Sequence, residues 1–108
     1  MTVKQMSELL SLDVICMPDP EREVTGGYAG DLLSWVMGRA ASGDAWITIM
    51  SNVNIVAVAT LADPACIVLS EDVMPDADTL EKAERVGVNI LRGKKDTFGL
   101  CAEISALL

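Results

Sequence analysis

Not one histidine occurs among the 108 residues. That gap removes the commonest general base and the commonest metal ligand together. Cations are scarce as well: eight Lys and Arg face sixteen Asp and Glu, for a net charge of −8. Phosphate backbones need a basic surface, so nucleic acid is not an expected partner. Two Trp, one Tyr and one Phe are the whole aromatic content, which leaves the core to Val, Ile, Leu, Ala and Met. No apolar run approaches the ~20 residues of a membrane span. The opening T-V-K-Q-M-S-E lacks a signal-peptide core, so a cytoplasmic protein without membrane contact is expected. Neither G-x-G-x-x-G nor G-x-x-x-x-G-K-S/T is present, which excludes P-loop nucleotide hydrolysis. Cys16, Cys66 and Cys101 are odd in number and spaced unlike a metal clip. They read as small buried hydrophobes in a reducing compartment, and no metal or cofactor is expected.

What is present is apolar and alternating. Hydrophobic residues make up 51% of the chain, and mean hydropathy is +0.38. So much grease in a small domain suggests an apolar face covered by a second copy. Thr2 and Gln5 form a capping box for a first helix with Val3, Met6, Leu9 and Leu10 on one face. Asp13 to Met17 is a short strand broken by Pro18-Asp19-Pro20. Arg22 to Thr25 reads as extended, ending in a turn at Gly26-Gly27. Asp31 is placed to cap a helix from Leu32 to Ala41, with Leu32, Trp35, Val36 and Arg39 on its apolar side.

From Ala45 onward the elements alternate. Ala45 to Met50 is a strand. Ser51 to Ala62 reads as a helix capped by Ser51 or Asn52, because Ala57, Ala59, Ala62 and Leu61 favour helix and Asp63-Pro64 ends it. It is apolar on both sides, with Val53, Val56, Ala57 and Leu61 opposing Ile55, Val58 and Ala59, and so needs cover twice over. Ala65 to Ser70 is a buried parallel strand. Asp78 and Glu81 form a second capping box for a helix that Gly87 stops after Val86. Val88 to Arg92 is a strand. Asp96 or Thr97 caps a last helix through Phe98, Cys101, Ile104 and Leu108. Strand–helix alternation of this kind predicts an α/β fold over residues 1–108: a single domain with a mostly parallel sheet flanked by helices.

Ligands of open parallel sheets bind beyond the carboxyl ends of the strands. The residues following each strand are therefore the candidates. Thr25, Gly26, Gly27, Tyr28 and Asp31 come first, then Ser51, Asn52 and Asn54. Ser70, Glu71 and Asp72 follow, and finally Arg92, Gly93, Lys94 and Thr97. With the glycine pair near that edge, the rim would suit a small polar or phosphorylated ligand, and Arg22 could hold its anion, although pairing with an acidic neighbour is its more ordinary use. Each of the caps has an ordinary use as well, since a helix cap contributes about 1 kcal/mol without any ligand. An enzyme using Arg22, Thr25, Tyr28 and Asp31 is the weaker alternative, since no nucleophile–base pair is evident.

The run E-R-E-V-T-G-G resembles the motif that names the DRTGG domain. Arg22, Thr25, Gly26 and Gly27 match its R, T, G and G, and Glu21 stands where that family has Asp. G-D-A-W-I-T-I, A-C-I-V-L-S and G-V-N-I-L-R extend the likeness over nearly the whole chain. DRTGG domains are similar to the N-terminal domain of HPr serine kinase/phosphorylase, and they occur beside CBS pairs in regulated pyrophosphatases. The resemblance implies a non-catalytic regulatory or binding domain, often dimeric, that senses a small ligand or docks a protein partner. It does not imply kinase activity, because that enzyme's P-loop lies in a separate domain.

Overall fold

The computed structural model describes residues 1–108. Its elements follow in the order α1 (Val3–Leu9), β1 (Asp13–Cys16), β2 (Gly26–Ala29), α2 (Leu33–Arg39), β3 (Asp44–Thr48), α3 (Asn54–Ala62), β4 (Cys66–Leu69), α4 (Ala77–Val86), β5 (Ile90–Arg92) and α5 (Thr97–Leu107). The five strands form one sheet in the order β1-β5-β4-β3-β2. Strands β2 to β5 are parallel, and β1 alone runs antiparallel, against β5.

This order explains the layering. Each parallel strand lies beside the one before it, so three right-handed crossovers deliver α2, α3 and α4 to one face. Val36, Ile55, Val56 and Ala83 from those helices bury with Trp46, Ile67 and Ile90 of the sheet. The opposite face takes α1 and α5, whose Val3, Met6, Leu100 and Ile104 pack on Ala45, Ile47, Val68 and Leu91. Alternate residues of β3 thus serve opposite layers, as pleating requires. Trp46 is wholly buried, and its indole donates to the Gly30 carbonyl at 2.9 Å. The large side chains buried here contribute roughly 1.5–3 kcal/mol each.

The segment expected to be a helix over 51–62 is a helix and not a strand, but it runs from Asn54 to Ala62, and neither Ser51 nor Asn52 caps it: its first flanking residue is Val53, with no side-chain cap. Its two-sided grease is met by the sheet beneath and by α2 and α4 on either side, leaving Leu61 73% exposed. Thr2 caps α1 with the full box to Gln5, and Gly87 ends α4 at φ +85. Leu9, expected inward, faces solvent, and Ser7 takes the buried position.

Four local expectations are corrected. Gly26-Gly27 is no turn: both residues are strand, in register with Asp44 and Ala45 of β3, because the parallel neighbour outweighs the low strand propensity of glycine. Asp31 does not cap α2, whose start at Leu32 has no side-chain cap. Its carboxylate instead accepts from Thr48 Oγ1 at 2.8 Å and from the Ile49 amide at 3.0 Å, tying the ends of β2 and β3 together. The box expected of Asp78 and Glu81 does not form, since α4 begins two residues earlier, after Asp76. Phe98 is 85% exposed, because α5 buries the stripe of Leu100 and Ile104.

Candidate functional site

The residues of the expected rim divide between the two ends of the sheet. Gly26 is level with Asp44, the first residue of β3, so Arg22, Thr25 and Gly26 gather at the amino ends of the strands. Asp31, Ser51, Asn52 and Asn54 lie past the carboxyl ends. The two groups are a strand's length apart and share no cavity.

At the amino end the motif is a clamp. Arg22 donates from Nη1 to Asp63 Oδ1 and from Nη2 to Asp63 Oδ2, both at 3.0 Å. Nη2 also reaches the Asp63 carbonyl at 3.1 Å and Ser42 Oγ at 3.3 Å, and Ser42 donates to Asp63 at 2.6 Å. A bidentate guanidinium–carboxylate pair is geometrically demanding, and here it fastens the run into β2 to the turn after α3. Asp63 sits in the left-handed region at φ +59, where it ends α3. Hydrogen bonds from Arg22 and Ser42 hold its carboxyl below the usual range, and the same pairing raises the Arg22 guanidinium. Thr25 donates its amide to the Gly43 carbonyl, and a Cβ on Gly43, at φ +88, would collide with Thr25 Oγ1. A Cβ on Gly26 would come within 2.6 Å of Asp44 Oδ1, whose carboxylate is engaged by the Ala41 amide.

At the carboxyl end the polar groups also bond within the fold. The Asn52 side-chain Oδ1 accepts from the Asn54 amide at 3.0 Å, and the Ser51 backbone carbonyl accepts from Thr79 Oγ1 and the Asp76 amide. The turn after β4 holds Glu71 and Asp72 at φ +60 and +61. Glu71 accepts from the Thr97 amide at the start of α5, Ser70 bonds Thr97, and Asp72 pairs with Arg92 at 2.5 Å. No hollow is lined by Asp31, Ser51, Asn52 or Asn54.

A hollow does lie between β2 and α5. In register, Gly27 and Ala29 are beside Ala45 and Ile47, and so face α5, while Tyr28 lies beside Trp46 on the other face. Those two small residues leave a space of about 240 Å³. Ile47 lines it on the sheet side, and Cys101, Ile104, Ser105 and Leu108 on the helix side, with no charged residue among them. Gly27 and Tyr28 are the only two residues of the expected site that line it. The contribution of α5 was hidden from sequence reasoning, because α5 and β2 meet only through the tertiary fold. Cys16 and Cys66 are buried and Cys101 half-buried, all three as free thiols. Burial pushes Cys66 up to about 12 and raises the other two.

No family model matches the sequence, and no curated protein matches it. Among solved structures, the fold is similar to the crystal structure of the CBS and DRTGG domains of the regulatory region of Clostridium perfringens pyrophosphatase, complexed with its activator diadenosine tetraphosphate. The TM-score is 0.69 at 12% identity, over 91% of this chain and 43% of that one. The chain therefore spans less than half of that region. At such low identity the likeness shows a shared α/β fold. No helix of the chain is long and apolar enough to cross a membrane.

Proposed function

We propose that this chain is a non-catalytic regulatory module of the DRTGG type, which binds a small ligand or a partner protein and transmits that event to whatever it is attached to or docked on. The observation that carries this reading is the fold itself, shared along 91% of the chain with a part of a pyrophosphatase that regulates. The motif geometry supports it. Arg22, Thr25 and Gly26 brace three loops at the amino end, which supports reading the motif as a signature of the fold rather than a reacting constellation. Three free thiols fit a reducing cytoplasm.

A homodimer belongs to the same proposal. The outer side of α2 carries Leu32, 58% exposed, and Trp35, 52% exposed, with the Arg39 guanidinium stacked 3.8 Å from the indole centroid. An aromatic–arginine pair on an apolar stripe is the composition of an interface centre. Sedimentation should give a dimer that Trp35→Asp dissociates without unfolding, and a monomer at every concentration would remove this part.

The test of the main reading is a thermal-shift panel of nucleotides, diadenosine tetraphosphate included, and phosphorylated metabolites, followed by calorimetry on any hit. A saturable shift without turnover supports ligand sensing. Turnover of a panel compound by the pure chain would overturn the non-catalytic reading. A second reading, protein docking alone, is favoured by the hollow under β2, which is uncharged and smaller than the ~300 Å³ at which small-molecule pockets begin.

A further inference from the structure

The sheet has two free edges, and they are built differently. β1 meets β5 with an irregularity between Val14 and Cys16, carries Asp13 beside Arg92, and runs into Pro18 and Pro20. A bulge, a charge and prolines are how proteins protect an edge against further strands. β2 has none of these. Gly26, Gly27, Tyr28 and Ala29 pair in unbroken register with β3 on one side and with nothing on the other; the run just before them is already covered by Met1 and Thr2, through the Thr2–Glu23 bridge and the Val24 amide on the Met1 carbonyl, so the open edge is these four residues. Its outward backbone donors and acceptors are open to another strand.

Gly27 sharpens the point. Its φ is not positive, and a Cβ there would meet nothing closer than the Ala45 carbonyl at 3.7 Å. Neither backbone strain nor a neighbour requires glycine. What its missing side chain does is open the hollow toward the free edge, and glycine within a strand marks places where another backbone or ligand comes close.

We infer that the free edge of β2 accepts an extended segment of a different protein, which adds a strand to the sheet and lays a large apolar side chain into the hollow. A second copy of this chain is the poorer occupant. Antiparallel pairing of β2 with itself about a two-fold axis turns only Gly27 and Ala29 toward the α5 side, and both hollows stay empty. The hollow needs a residue such as Leu, Ile or Met, alternating along the docked strand with others that face away. Its lining is uncharged, whereas the chain as a whole stands at −8, so Lys or Arg at the ends of the segment assists approach without entering the contact.

The inference rests on the reading of the chain as a binding module, but the two fail separately: the metabolite panel tests ligand sensing, and peptides test the edge. The probes are short acetylated peptides with Lys at each end and Thr alternating around a central guest residue, titrated by fluorescence anisotropy. Affinity should rise about tenfold or more from a Gly to a Leu guest. Amide exchange should slow in β2 on binding, and alkylation of Cys101 in the hollow should slow with it. Gly27→Leu, which fills the hollow from inside, should keep the circular dichroism spectrum and abolish binding. Ser105→Phe fills it from α5 and gives the same result independently should Gly27→Leu fail to fold. Equal affinity for all guests, no binding by any guest, or binding retained in a folded filled-hollow variant overturns the inference. So does a dimer that Gly27→Leu or Ser105→Phe dissociates, because the occupant is then a second copy.

Discussion

The clamp at the amino end and the hollow beneath β2 come from one short run of sequence, and they use adjacent glycines in opposite ways. Gly26 is glycine because the Asp44 carboxylate occupies the place of its side chain. Gly27 has room for a side chain, and its absence shapes a surface. The contrast teaches that a motif matched as a unit need not act as one: its first residues build the fold, and its last faces outward.

The comparison is broken most severely at the glycine opposite the motif. Gly43→Ala forces a side chain into the left-handed region and against Thr25. It should lower stability by about 2–3 kcal/mol, read from urea denaturation. Arg22→Ala removes the bidentate pair and leaves Asp63 with the Ser42 hydroxyl as its one remaining side-chain donor. A loss of about 1–2 kcal/mol is expected, discounted because both partners are partly exposed. Arg22→Lys should recover less than half of that loss, since an ammonium does not reproduce the fork.

A smaller effect comes with acid. The folded Asp63 carboxyl lies below its unfolded value, so its contribution is complete above the ordinary carboxylate value of about 3.9 and disappears as pH falls through the lower, folded one. Wild type should therefore lose up to about 1 kcal/mol in that acid window that Arg22→Ala does not lose, measured as the difference between their pH–stability profiles. Identical profiles would deny the clamp its electrostatic part. None of these changes should alter peptide binding at β2, as long as the variant is folded.

Much of the architecture was legible in the chain. The strand–helix alternation from Ala45 onward follows from buried runs such as A-C-I-V-L-S and from the stops at Asp63-Pro64 and Gly87. These are local signals, and the fold obeys them. The expectations that failed depend on long-range partners. Glycine disfavours strands, so G-G read as a turn until β3 was seen to hold it extended. Asp31 looked like a cap until Thr48 and the Ile49 amide claimed its carboxylate. Helix α5 is apolar nearly all round, which conceals its inward stripe and sends Phe98 the wrong way. Nothing local pairs Arg22 with Asp63, 41 residues away, or tells which end of the sheet the motif occupies. The site was thus legible as a list of residues, two of which line the hollow, but not as a place.

The division within the motif is tested most directly by urea denaturation of Gly26→Ala and Gly27→Ala side by side. The first should lose about 1–3 kcal/mol as its methyl displaces the Asp44 carboxylate. The second should stay within about 0.5 kcal/mol of wild type or gain slightly, from a less flexible unfolded chain. Equal losses, or a larger loss at Gly27, would contradict it.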